Sequence, residues 1–327
     1  METDLFAFIK NEAAIIDQQM RQELSGIACP HLPDILSHAL LAGGKRVRPL
    51  LTLLCARLIT PGLTDPALYR LATVVEYLHV ASLLHDDVVD SADKRRGKPA
   101  ANTVWGNTAA ILAGDFLHAK AMSLAGIVGG VGCLEIIGKA TAAMVEAEFL
   151  QLDNAKQQDR VTEKYYSVIN GKTASLITAA CEAGALFAGG SDNQRHAVRI
   201  YGHNLGLAFQ IIDDLLDYGG NAVKTGKTVG NDFVEGKMTL PLILALDSAN
   251  AQESERMLSL LSSPPTDRQQ HFEEACTFID RHNGFGRARQ QAADLIGEAL
   301  SELAPFDPSE AKSILTALAH YVLNRDK

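Results

Sequence analysis

The chain has 327 residues, 47% of them apolar, and a formal net charge of −9. That acidic balance argues against nucleic acid as a partner, because duplex binding is driven by Lys and Arg on phosphate. Few aromatics and prolines, with abundant Leu and Ala, favour helix over sheet, and five cysteines without CxxC pairing or metal spacing read as reduced core thiols.

Residues 2–24 carry apolar positions at helical spacing and predict an amphipathic first helix, ended by Gly26 and Pro30. A short helix over 33–42 stops at Gly43-Gly44, ahead of the basic run Lys45-Arg46-Val47-Arg48-Pro49. Pro49 opens the next helix, 50–59. Asp65-Pro66 then starts a long helix through Leu84 that ends in Asp86-Asp87-Val88-Val89-Asp90. The charge-rich stretch 91–102, with Gly97 and Pro99, reads as loop.

A helix over 102–127 follows, then a glycine connection and a helix over 133–156. Thr162 begins a helix reaching Phe187 that is interrupted at Gly171-Lys172-Thr173, and Asp192 caps one that ends near Tyr218. Residues 224–238, with three glycines and three lysines, read as loop. Helices over 240–248, 254–261, 268–282, 285–303 and 308–323 complete an all-helical chain, expected as one domain over 1–327. Residues 1–25 lack the marks of a signal peptide, and no uninterrupted apolar run reaches the ~18 residues of a membrane span, so a soluble protein is expected.

Function is carried by a repetition. Ile211-Ile212-Asp213-Asp214-Leu215-Leu216-Asp217 nearly copies the first acidic cluster. On a helix, Asp86 and Asp90 share a face, as do Asp213 and Asp217. Like charges so placed repel, and hard divalent cations with oxygen ligands relieve that repulsion. Magnesium characteristically bridges carboxylates to a substrate phosphate, and basic residues beside both clusters suit diphosphates. Neither a Ser/His/Asp nor a Cys/His nucleophile set is evident, and no GxxxxGK[ST] phosphate loop occurs. The residues therefore suggest Lewis-acid departure of a diphosphate within apolar walls.

The motifs resemble those of the trans-isoprenyl diphosphate synthases, in particular the long-chain polyprenyl type. They are Gly43-Gly44-Lys45-Arg46-Val47-Arg48-Pro49, the first DDxxD with Arg95-Arg96-Gly97, Gly114-Asp115, Lys172-Thr173-Ala174, Phe209-Gln210 with the second DDxxD, and Gly226-Lys227 through Asp232 to Glu235-Gly236-Lys237. The resemblance implies an all-α helical bundle of the isoprenoid synthase type with a central active-site cavity. It further implies that Lys45, Arg48, His79 and Arg96 hold the diphosphate of isopentenyl diphosphate. Asp86, Asp90 and Asp213 would bind magnesium, about three ions per site. Arg95, Lys172, Gln210, Lys227 and Lys237 would hold the allylic diphosphate, with Thr173 and Gln210 steadying the allylic cation and Asp87, Asp214 and Asp217 acting indirectly.

Small residues at Ala81 and Ser82, where bulky aromatics close the product tunnel of short-chain relatives, imply a long product, an octaprenyl diphosphate for a quinone side chain such as that of ubiquinone. The deeper floor would come from the helix around 117–124, with Phe116 and Met122 as candidates. A cytoplasmic homodimer paired through 101–127 is also implied. Alternatives are a geranylgeranyl or farnesyl diphosphate synthase, a terpene cyclase, and a non-catalytic synthase subunit.

Overall fold

A computed structural model describes residues 2–41, 43–157, 160–219 and 230–325. Among the described residues the regular structure is helical apart from one hairpin of two-residue strands. It divides into two compact units.

The first unit takes residues up to Thr141, Leu176–Gly202 and Leu303–Ala317. Its helices are α1 (Glu2–Glu23), α2 (Leu32–Leu40), α3 (Val47–Ile59), α4 (Pro66–Val89) and α5 (Ala101–Trp105), with the first part of α6 (Asn107–Gln157). Asp65 caps α4 by accepting from the Ala67 N–H at 2.8 Å, and Pro66 follows where its missing N–H is harmless. From Leu71 to Val75 and again at Leu78, Val80 and Ala81, α4 is buried on nearly every side. Such a helix is a core element, which fixes the direction of the aspartates at its C-terminal end.

Between α4 and α5 the expected loop contains β1 (Lys94–Arg95) paired antiparallel with β2 (Lys98–Pro99). The turn needs left-handed backbone at Arg96 (φ 53°) and Gly97 (φ 76°). The helix expected over 102–127 is likewise corrected: Gly106, at φ 84°, separates α5 from α6. A second break falls at Gly130 (φ 72°), where the glycine connection was expected.

The second unit takes Ala142–Ser175, His203–Glu302 and the chain from Leu318. It begins with the end of α6 and α7 (Thr162–Ile169), followed by a π-helical turn, Asn170–Ala174. From Leu176 on, α8 (Ser175–Phe187) belongs to the first unit with the start of α9 (Asp192–Gly219), and α9 from His203 to the second. The expected interruption at 171–173 is this turn, and close packing accounts for it: a Cβ on Gly171 would lie 2.5 Å from the Ala143 carbonyl oxygen. Such π-turns concentrate at functional sites.

Where loop was expected through 238, α10 (Asn231–Glu235) forms, set between left-handed Gly230 and Gly236. The central helix of this unit is α11 (Leu240–Ser248), buried from Leu240 to Leu246. α12 (Ala251–Leu261), α13 (Pro265–Gln270), α14 (Phe272–Arg281) and α15 (Gly284–Glu302) follow, and α16 (Glu310–Asn324) ends the described chain. The single helix expected over 268–282 is two, parted at His271.

The cysteines are free thiols, three of them buried. Two helices are long and apolar enough, by length and composition, to cross a membrane: Pro66–Val89, mostly buried within the protein, and Asn107–Asn154, mostly not. Uninterrupted apolar runs missed them because Arg, Glu and His punctuate the first and Asp, Lys, Glu and Gly the second.

Candidate active site

In the first unit the basic run is anchored by a buried ion pair. Arg46, left-handed at φ 50°, precedes α3 and turns inward. It donates to Asp17 at 2.8 Å, to Glu76 of α4 at 2.6 Å and to the Leu40 carbonyl at 2.5 Å. Arg48 follows on the first turn of α3, and its Nε is buried with no partner among the described residues. One turn after Glu76, His79 is held far below the usual imidazole range by burial and then by Arg48, Arg96, Arg95 and Arg46. A neutral ring among four guanidiniums defines a site built for an anion. Arg96 enters from the hairpin and donates to the Gly43 carbonyl, passing close over Gly44, where a Cβ would sit 3.2 Å from its Nη1. Lys45 is exposed.

The first acidic cluster divides by face. Asp86 and Asp90 reach the surface at the end of α4, whereas Asp87 is buried. Arg95, expected on a substrate phosphate, donates to Asp87 through Nε at 2.8 Å and Nη2 at 2.5 Å. This clasp, with Asn102 donating to the Asp87 carbonyl at 3.0 Å, fastens the hairpin under the cluster. His85 Nε2 lies 3.2 Å from the Ile111 carbonyl oxygen and 3.4 Å from Asp115. Gly114 permits that approach, since a Cβ there would be 2.4 Å from the ring. Ala81 is 4% exposed, and the Ser82 hydroxyl donates to the His79 carbonyl at 2.9 Å. Phe116 and Met122 are half-buried on α6.

In the second unit a chain of hydrogen bonds fixes the expected cation-steadying groups. Thr173, on the π-turn, donates to Gln210 Oε1 at 2.7 Å. Gln210 Nε2 donates to Asp214 Oδ1 at 2.8 Å, and the Tyr165 hydroxyl donates to Asp214 Oδ2 at 2.7 Å. Burial, reinforced by Asp232, pushes the Asp214 carboxyl up to about 8. Lys172 pairs with Glu148 at 2.8 Å. Asp217 accepts the Asp232 N–H at 2.9 Å, and Lys237 lies 3.1 Å from Asp232 and 2.6 Å from Glu235. Asp213 is half-exposed and meets Arg325 at 3.2 Å. Lys227 lies outside the described residues.

The carboxylates fit a hard cation. Each i, i+4 pair offers only oxygen donors, and among the described residues no three or more His, Cys, Asp or Glu side chains close on one point. Magnesium asks for no such cage, since it keeps several waters and takes one or two carboxylates together with phosphate oxygens.

A family model for polyprenyl synthetases matches residues 29–279. The chain belongs to the polyprenyl synthetase family. It is 37% identical to octaprenyl diphosphate synthase of Haemophilus influenzae over 87% of this chain and 85% of that one. It is 36% identical to nonaprenyl diphosphate synthase of Mycobacterium tuberculosis over 98% and 94% respectively. A polyprenyl synthase from Caulobacter crescentus, solved with calcium and isoprenyl diphosphate, superposes with a TM-score of 0.87 at 37% identity, covering 99% of this chain and 97% of that one. The fold is thus the all-α isoprenoid synthase fold, and this polyprenyl synthetase is a trans-prenyltransferase.

Sequence reasoning gave no role to Arg46, Glu76, Glu148, Tyr165, Asp232 or Arg325. Arg46 and Asp232 carried a signal, lying inside the basic motif and the last motif respectively. The others are partners contributed by distant stretches of chain.

Proposed function

We propose that this chain condenses isopentenyl diphosphate head-to-tail (1′-4) with an allylic diphosphate, making a long-chain all-trans polyprenyl diphosphate of about octaprenyl length for a quinone side chain. The observation that carries the reading is the gathering of Arg46, Arg48, Arg95 and Arg96 around His79, in a chain that also bears two paired-carboxylate clusters. His79, with Lys45, Arg48 and Arg96, holds the diphosphate of isopentenyl diphosphate by charge-assisted hydrogen bonds. Asp86, Asp90 and Asp213 hold magnesium, which when bound draws off the charge of the departing pyrophosphate. Lys172, Lys227 and Lys237 complete the allylic diphosphate site.

The allylic C–O bond breaks, and the double bond of isopentenyl diphosphate attacks the resulting cation. The proton released in forming the new double bond passes to the pyrophosphate. Thr173 and Gln210, locked to each other, present oxygen dipoles to the cation. Arg95 acts through Asp87, steadying the metal helix. Small Ala81 leaves the product room to lengthen.

The same reading takes the whole chain as one catalytic domain in the cytoplasm. It pairs two copies through the stretch bearing exposed Val104, Ile111, Leu112 and Ile127. A monomer by light scattering rejects that pairing.

Incubation with isopentenyl and farnesyl diphosphates and Mg2+, followed by chromatography of the dephosphorylated products, tests the function. An octaprenyl product, lost on chelation, is expected. Products stopping at geranylgeranyl length overturn the long-chain assignment, and absence of metal-dependent pyrophosphate release overturns the activity.

A further inference from the structure

The described chain ends on a residue that reaches the second acidic cluster. The side chain of Arg325, just beyond α16, is only 7% exposed. It donates to the Phe209 carbonyl at 2.8 Å and to Asp213 Oδ1 at 3.2 Å, so it grips α9 at two positions one turn apart. Its guanidinium carbon lies 4.0 Å from the centroid of the Phe209 ring. Both bonds come from Nη2, and Nε is buried with no partner among the described residues. A guanidinium with only part of its donor set satisfied is held chiefly by the carboxylate and the ring.

We infer that Arg325 is a resident counter-ion for Asp213 that a divalent cation must displace, so that metal binding at the second cluster releases the C-terminal end of the chain. The inference rests on the reading of Asp213 as a metal ligand. A guanidinium on Oδ1 takes up an oxygen the metal needs, and a dication brought to the same carboxylate repels it. The Phe209 carbonyl and ring alone are a weak tether, because they offer no opposite charge. In the metal-free protein the pair neutralises Asp213 and keeps α16 docked on α9. Once the metal arrives, the arginine has lost its anionic partner and exposes an unsatisfied cationic fork at the mouth of the cluster.

The test is titration of the full chain with Mn2+, without substrate, followed by electron paramagnetic resonance of the free ion. Arg325→Gln is expected to bind Mn2+ about fivefold more tightly than the native chain, the scale of a partly exposed ion pair. Arg325→Lys should fall between them. In the native chain, Mn2+ should also raise hydrogen exchange over residues 318–325, a measurement that needs no variant and stands even if a substitution loosens the C-terminus. Equal or weaker Mn2+ binding by Arg325→Gln, or unchanged exchange, overturns the inference. Asp213→Asn separates the two readings. If it weakens Mn2+ binding while Arg325→Gln does not strengthen it, only the displacement is refuted; if it leaves Mn2+ binding unchanged, Asp213 is not a ligand and both readings fall.

Discussion

Arg46 and Glu76 meet at 2.6 Å with side chains 1% and 4% exposed, which makes Glu76 the buried counter-charge of the basic patch. Glu76 also bears on Arg48 and Arg96, raising the proton affinity that burial lowers in each. Breaking a buried pair strands the surviving charge, a larger loss than the pair's net worth. Glu76→Ala should cost about 3 kcal/mol of unfolding free energy in urea, and should raise KM for isopentenyl diphosphate more than it lowers kcat. A loss under about 0.5 kcal/mol would put the pair in the class of surface bridges.

His79 gives the protein a pH dependence of known sign. Unfolded, its imidazole takes a proton near the ordinary value of about 6.5. Folded, burial and the four arginines hold the ring far below that. Between those values the unfolded chain binds more protons, so stability rises with pH. The contribution is complete above about pH 6.5 and declines as pH falls below it, by up to about 1.4 kcal/mol per unit for one proton. Denaturation of native protein and His79→Gln from pH 7.5 to 5.5 should show the native slope exceeding that of the variant. Equal slopes would mean that His79 protonates without hindrance when folded.

What was legible in the sequence followed the range of its signals. α4 was readable because Asp65-Pro66 caps it locally and apolar residues recur at helical spacing up to the aspartates. The shared face of Asp86 and Asp90 followed from helical spacing alone. The hairpin was not readable, since two-residue strands in Lys94–Pro99 leave no alternation to detect and its turn uses a left-handed arginine. The resemblance puts Arg95 on a substrate phosphate; its contact with Asp87, which the hairpin reversal brings about, carried no sequence signal. Arg325 was hidden for another reason: its partners, Phe209 and Asp213, are more than a hundred positions away in the chain.

The π-turn at 170–174 requires a residue without a side chain at 171. A Cβ there would meet the Ala143 carbonyl oxygen at 2.5 Å and the Ala147 Cβ at 2.6 Å. Backbone cannot yield as a flexible side-chain tip can, so α6 and the turn must separate. Gly171→Ala should destabilise the protein by about 1–3 kcal/mol. It should also lower kcat, because Thr173 loses its 2.7 Å bond to Gln210. Thermal unfolding with steady-state kinetics checks both, and wild-type kinetics in the variant would show that Thr173 does not depend on the turn.

The proposed function sets Ala81 beside the growing product. It lies on α4 five residues before Asp86 and is 4% exposed, so a phenyl ring there must enter the space beside the helix. Two effects compete. Overpacking a filled core costs about 1–3 kcal/mol, whereas a ring projecting into a product channel blocks extension without destabilising the fold. Ala81→Phe separates them when product chromatography is paired with thermal unfolding. Shortened products at a nearly native melting temperature are expected, and products of unchanged length would mean that the growing chain does not pass Ala81.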